Sequence, residues 1–411
     1  VNETLRLADA GWLARGPLAE VLAALDRDGE EARIAGGAVR DALLGAAPGD
    51  MDIATTALPE EVIRRARAAG WKTAPTGVEH GTVTVVAEGE PFEVTTLRRD
   101  VSTDGRRATV AFTRDWAEDA ARRDLTINGL YLDRSGVAHD HVGGLADLAA
   151  RRVRFIGDAR ARIREDYLRI LRFFRFHARF AEGPPDAAGL GASIAEKAGL
   201  ARLSRERVRA ELLKLLVAPR AVETVAVMAD HDLVAPLTGA APELRRFARL
   251  AALDAAAPDA LLRLAALALE PHNGADRLQQ ALRLSKAEAK RLEALEPATP
   301  ALAPDMGEGA ARAALYALGP EAFRDRARMA WSAAGAPPDD AAWGALAALP
   351  ERWTAPARPF AAKDFLARGE TGGARLGRLM RAAEAAWVAA GFPTDPSTVA
   401  ALLDRARAET D

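Results

Sequence analysis

Cysteine is absent from the 411 residues, which excludes disulfides, thiolate metal sites and a cysteine nucleophile. Lysine is rare too, at six of the 56 basic residues. The arginine that replaces it offers a planar fork for phosphate, although genome base composition produces the same bias. Histidine is scarce at six residues. An HD-type metal site needs several histidines beside aspartate, and His231-Asp232 has no such neighbour in the chain. No serine–histidine–aspartate context is evident either. Net charge is −2 and the pI about 6.4, so no global field marks a nucleic-acid or membrane binder and any basic surface is local. No apolar run approaches the ~20 residues that span a membrane, and the opening residues lack a signal-peptide core. A cytoplasmic protein is expected, with no membrane contact and no protein partner implied.

A chain of this length divides into two to four domains. Leu18, Val21, Leu22 and Leu25 at helical spacing put short amphipathic helices within residues 1–30. Pro59-Glu60-Glu61 is a helix start, with the helix running to Ala69. Thr82 to Ala87 and Pro91 to Leu97 read as strands about the turn Glu88-Gly89-Glu90. Residues 98–108, RRDVSTDGRRA, are polar and turn-rich and read as a mobile loop. Trp116 to Arg123 is helical, and Leu130 to Leu132 with Val137 to His141 forms a hairpin about Ser135-Gly136. Beyond about residue 145 helical periodicity takes over, broken at proline-rich points that include 297–304 and 350–359. The fold class is therefore α+β, a head of mixed sheet with helices followed by an all-α remainder.

Residues 34–53, IAGGAVRDALLGAAPGDMDI, read as a strand, a Gly-Gly turn, a short helix with Arg40 and Asp41, a loop, and a second strand carrying Asp50 and Asp52. Alternation in that strand puts both carboxylates on one face. Side by side they repel unless a cation or proton lies between them, and their oxygens suit Mg²⁺. Glu93 can join them from a neighbouring strand. Gly36-Gly37 allows a tight turn that exposes backbone N–H groups to phosphate, but it is neither a Walker A sequence nor G-x-G-x-x-G. Taken alone, the Asp pair reads as solvated surface and the Gly-Gly as an ordinary turn.

Five motifs in order carry more. GGAVRDALLG with DMDIATTALPEEV (36–62), RRDLTINGLYLD (122–133), DHVGGLADLAARRVRFIG (140–157), EDYLR (165–169) and SRERVRAELLKLL (204–216) resemble the motifs of class II tRNA nucleotidyltransferases and bacterial poly(A) polymerases. His139-Asp140-His141 falls at the start of the third. PTGVEHGTVTVV (75–86) resembles CCA-adding members, where poly(A) polymerases tend to show a Gly-basic-basic-Phe pattern. The resemblance implies a nucleotidyltransferase head at 1–145, a helical neck for base recognition at 146–225, a body at 226–350 and a tRNA-binding tail at 351–411. The implied activity is addition of C, C and A to the 3′ end of tRNA from CTP and ATP. The alternatives are a poly(A) polymerase and a tRNA-binding protein whose catalytic head has decayed.

By the same resemblance, catalysis falls to Asp50, Asp52 and Glu93, with Asp50 and Asp52 holding two Mg²⁺ ions. Gly36, Gly37, Arg40, Arg123, Asp124 and Asn128 are implied nucleotide contacts; Asp124 and Asn128, four apart, would share a helix face, with helix capping as their other reading. Glu165, Asp166, Arg169, Arg172 and Arg175 are implied contacts too. Cytosine and adenine present an amino donor beside a ring-nitrogen acceptor, which a carboxylate and a guanidinium complement. Asp166 and Arg169, three apart on a helix, can supply that pair; a surface ion pair between them is the other reading. Guanine and uracil would leave Asp166 facing a carbonyl. Helical steps of three lag by roughly 60° each, which points Arg175 about opposite to Asp166. Phe173, Phe174 and Phe176 are expected to pack the head against the next domain. Residues 151–179 hold ten arginines against three acids, a local positive stretch suited to a tRNA backbone. Loop 98–108 occupies the place of a flexible element that the family associates with the change from C to A addition.

Overall fold

Val83, Val85 and Ala87 alternate into the interior and make their strand one of eight in a mixed sheet. The structure, a computed structural model, describes residues 3–7, 10–104, 107–296 and 301–409. Its two units are Val1–Leu237 and Thr238–Asp411.

In the first unit the strands are β1 (Glu3–Arg6), β2 (Ala32–Ala35), β3 (Asp52–Thr55), β4 (Lys72–Gly77), β5 (Thr82–Ala87), β6 (Glu90–Thr96), β7 (Arg98–Asp104), β8 (Arg107–Phe112), β9 (Leu130–Leu132) and β10 (Val137–Asp140). The sheet runs β1-β10-β9-β2-β3-β6-β5-β4. Its one parallel pairing among these, β3 with β6, sets Asp52 opposite Glu93. Helices α1 (Gly16–Leu25), α2 (Gly37–Leu43), α3 (Pro59–Ala68) and α4 (Trp116–Ala121) accompany it. Pro17 in the first turn of α1 and Pro59 in that of α3 cost no backbone bond there. Glu88 and Gly89, both at positive φ, turn β5 into β6 with the twist a tight hairpin requires. The unit continues through α5 (Gly144–Ala149), α6 (Ala159–Glu165), α7 (Leu168–Phe180), α8 (Ala187–Ala195), α9 (Arg205–Leu216) and α10 (Ala221–Asp230). Phe173 and Phe174 are fully buried in α7, and Phe173 stacks on Phe155 at 5.3 Å, tying α7 to the segment bridged to Leu125.

Three local expectations are corrected. Residues 3–6 form strand β1 rather than helix, paired along the sheet edge with β10. The opposite edge is β4, residues 72–77, to which the sequence pattern assigned no element. The segment read as a loop at 98–108 is a two-stranded ribbon, β7 against β8, with residues 105 and 106 outside the described residues. Asp50 precedes β3 in a bend, so strand alternation does not place it beside Asp52. The break at 297–304 falls partly on 297–300, also outside the described residues.

The second unit is built from helices, from Leu244–Leu253 to Pro396–Ala408. It has one core around Phe323, Trp331 and Trp343 and another around Phe365, Trp387 and Phe392.

Candidate active site

A cleft of about 440 Å³ in the first unit is lined by Gly36, Gly37, Arg40, Asp52, Arg122, Arg123, Asp124, Asn128, Asp166, Arg169, Arg172 and Phe176. Residues far apart in sequence meet here because β2 delivers Gly36 to the start of α2 while β9 runs alongside. Ala35 pairs with Tyr131, and the Gly36 N–H donates to the Leu130 carbonyl at 3.0 Å. Gly36 adopts φ +70°, and a Cβ there would stand 3.4 Å from the Arg123 guanidinium. Glycine thus serves both the backbone turn and the open wall.

A polar chain crosses the floor. Arg172 Nε donates to Asp124 Oδ2 at 2.6 Å, Asn128 Nδ2 donates to Asp124 Oδ1 at 3.0 Å, and Arg40 Nη1 donates to Asn128 Oδ1 at 2.7 Å. Burial pushes the Asp124 carboxyl up, but Arg172 and Asn128 outweigh it and hold it below the usual range. The expected shared helix face is replaced by a tighter device: Thr126–Asn128 is one 3-10 turn, which folds Asn128 back onto Asp124. Burial lowers the Arg40 guanidinium from its ordinary value, against Asp41, while Arg179 and Arg175 add repulsion. Arg40 lies 5.2 Å from the Phe176 ring and 4.0 Å from that of Phe180.

Asp166 lies at the junction of α6 and α7 rather than inside a helix. Its carboxylate is gripped by Arg207 of α9 at 3.2 and 2.6 Å, whereas Arg169 is held by Glu165 and donates to the Arg162 carbonyl. The two are thus anchored separately, and the surface ion-pair reading does not describe them. Glu165 supports Arg162 and Arg169 from behind. Arg175 does not line the cleft and pairs with Glu211, toward which the cleft residue Arg172 also points; with Asp166 outside the helix, the expected opposite placement does not follow from helical steps. Phe176 departs from the packing role given to all three phenylalanines, because it forms cleft wall.

Asp52 alone of the three implied catalytic acids lines the cleft. Its carboxyl is raised above the ordinary value by partial burial, then by the Glu93 charge and that of Asp50, against Arg123. Crowded acceptor-only oxygens fit a hard divalent cation, which takes a few carboxylates and completes its shell with water and phosphate. Among the described residues no group of three or more His, Cys, Asp or Glu is placed to hold a metal ion.

Sequence reasoning left out Arg122, Arg207, Glu211 and Phe176. Arg207 and Glu211 sit in the fifth motif, the one signal that pointed toward them. A larger cavity, about 760 Å³, lies beside α8, but its Arg152, Arg154 and Arg160 are already paired with Asp147 and Glu196, and Asp52 is not part of it.

Residues 32–154 match the family model described as "Poly A polymerase head domain", and residues 192–247 match "Probable RNA and SrmB- binding site of polymerase A". The human protein named CCA tRNA nucleotidyltransferase 1, mitochondrial, is 48% identical over 216 residues, 52% of this chain and 50% of that protein. The cleft residues from Gly36 to Asn128 fall within the match to the head domain of the poly(A) polymerase family. The CCA-adding enzyme from Geobacillus thermodenitrificans is 42% identical over 233 residues, 56% of each chain. The chain spans about half the length of the curated relatives it matches. The structure of the Bacillus stearothermophilus CCA-adding enzyme in complex with CTP has a TM-score of 0.76 at 28% identity, covering 96% of this chain and 98% of that one.

Proposed function

We propose that this chain adds C, C and A to the 3′ end of tRNA, taking CTP and ATP and releasing pyrophosphate. The observation that carries the reading is a carboxylate and a guanidinium, Asp166 and Arg169, held apart by separate partners in the cleft that also contains Asp52. The names of the human and Geobacillus relatives support it, as does the Bacillus stearothermophilus structure, a complex with CTP.

In this reading Asp166 accepts the exocyclic amino group of cytosine or adenine while Arg169 donates to the adjacent ring nitrogen. Arg40 and Arg123 hold the triphosphate or ribose, Gly36 and Gly37 let backbone approach it, and the Asp124–Asn128 pair fixes Arg40 and Arg172. Mg²⁺ held by Asp50 and Asp52, with Glu93 beside them, would supply neutralisation of phosphate charge and a more acidic 3′-hydroxyl. The partition into head, neck, body and tail belongs to the same proposal. So does a cytoplasmic location, although the human relative is named mitochondrial; no described helix is long and apolar enough to cross a membrane.

The test uses tRNA lacking its three terminal nucleotides, with CTP and ATP. Growth that stops after three additions supports the reading; long adenylate tails select the poly(A) polymerase, and no labelled CTP incorporated in a single turnover selects the decayed protein. Asp52→Ala is expected to abolish transfer with folding and tRNA binding retained, and surviving turnover would remove Asp52 from catalysis.

A further inference from the structure

Asp119, in α4, lines no part of the cleft, yet its carboxylate gathers an unusual set of donors. It is 1% exposed. Oδ1 accepts from Arg122 Nε at 2.9 Å and from the backbone N–H of Arg98 at 3.2 Å. Oδ2 accepts from the Tyr131 hydroxyl at 2.7 Å and from Arg123 Nη2 at 3.2 Å. Arg122 Nε also reaches the Arg98 carbonyl at 3.1 Å. Arg122 and Arg123 are cleft residues, Tyr131 is the β9 residue paired with Ala35 beside Gly36, and Arg98 is the first residue of the β7–β8 ribbon. The opposite foot of the ribbon is fixed at Thr113, whose N–H donates to the Leu97 carbonyl.

We infer that Asp119 is a positioning residue, orienting Arg122 and Arg123 toward the nucleotide and tying their placement to the root of the 98–112 ribbon. The inference rests on the nucleotide-binding reading of the cleft. Two long arginine side chains side by side repel and have many rotamers to lose; one buried carboxylate between them offsets the repulsion and fixes both forks. Burial pushes the Asp119 carboxyl up, but Arg123, Arg122 and the Tyr131 hydroxyl outweigh it and hold it below the usual range. The anchor is therefore ionised at neutral pH. Because the same carboxylate accepts from Arg98, a shift of the ribbon root changes what Asp119 offers to the two arginines.

Charge and position make opposite forecasts, which makes the inference testable. Asp119→Asn adds one net positive charge next to the cleft, which by itself favours an anionic triphosphate. Loss of orientation does the reverse. The experiment measures KM and kcat for CTP on trimmed tRNA, and CTP binding by calorimetry in the full chain, for wild type, Asp119→Asn, Asp119→Glu, a variant with residues 99–111 replaced by a short Gly-Ser turn, and the Asn–ribbon double variant. Expected are a KM and a dissociation constant raised about tenfold by Asn, in line with a lost charge-assisted hydrogen bond, partial recovery with Glu, and a double variant no worse than the poorer single one. A KM unchanged or lowered by Asn, or additive effects of Asn and ribbon replacement, overturns the inference. If Asn impairs folding, Tyr131→Phe, which removes one donor to Oδ2, is expected to raise KM about threefold, and an unchanged KM overturns the inference equally. Wild-type protein that binds CTP without incorporating it would instead overturn the assigned reaction, leaving the binding comparison to judge Asp119.

Discussion

Asp166 meets the cleft in an orientation set by Arg207, which donates to both carboxylate oxygens, and by the Leu168 N–H, which donates to Oδ1 at 3.1 Å. A bidentate grip of that kind fixes the carboxylate plane as well as its place. Without it, Asp166 can rotate and present an acceptor to bases of either edge pattern. Arg207→Met keeps the length of the stem and removes the fork. The ratio of kcat/KM for CTP over UTP is expected to fall about tenfold or more, since a charge-assisted hydrogen bond is worth roughly 1.5–3 kcal/mol. An unaltered ratio would detach Arg207 from base choice. The residue scale also shows why the site was only half legible. The groups proposed to touch the nucleotide, Gly36, Arg123 and Asp166, lie in motifs that stand out in sequence. The contacts that hold them do not: Arg207 and Glu211 lie in the fifth motif and Asp119 in none of the five, but no periodicity announces what each of them touches, and Asp50 was placed by a strand that begins two residues later.

Elements with one buried face were readable, and those without were not. Strand β5 alternates because its inner residues are core. Strands β1 and β4 are the two edges of the sheet; β1 is exposed throughout, and β4 contains Pro75 and few apolar residues, as edge strands do. The β7–β8 ribbon is a two-stranded sheet of its own, and the polar sequence of β7, RRDVSTD, has no hydrophobic alternation to read. Helix α7 is the opposite case: its apolar stripe buries Phe173, Phe174 and, with them, His177. Burial first, and then the charge of Arg220, depress the His177 imidazole to about 4. The folded protein keeps it neutral while the unfolded chain takes up a proton near pH 6.5. Between those values the unfolded state binds more protons, so stability is complete above pH 6.5 and falls as pH drops, by at most about 1.4 kcal/mol per pH unit. The thermal midpoint of His177→Leu is therefore expected to fall less steeply than that of wild type between pH 6.5 and 4. Parallel curves would show that another group carries the dependence. The same helix tempers the reading of a bare cationic stretch. Arg169, Arg172 and Arg175 are each engaged by a carboxylate, as are Arg152, Arg154, Arg160, Arg162 and Arg164 before them.

For the molecule as a whole, the change from strand to helix near residue 145 is legible because the hydrophobic period changes there. A boundary between two helical segments leaves no such mark, and composition places it only loosely. The units themselves carry separate cores: Val83, Phe173 and their neighbours are buried in the first, Phe323 and Trp387 in the second. Each cleft residue named above belongs to the first unit. A ligand bound there slows hydrogen exchange most where it contacts or orders backbone, and at 100 times its dissociation constant it stabilises the state it binds by about 2.7 kcal/mol. CTP is therefore expected to slow amide exchange in residues 34–45, 122–130 and 165–176 while leaving 238–411 at its unliganded rates. Exchange-coupled mass spectrometry with and without CTP reads both halves at once. Protection concentrated in the second unit would move the nucleotide site away from the Gly36–Asp166 cleft, and with it the roles given to Asp52, Arg123 and Arg169.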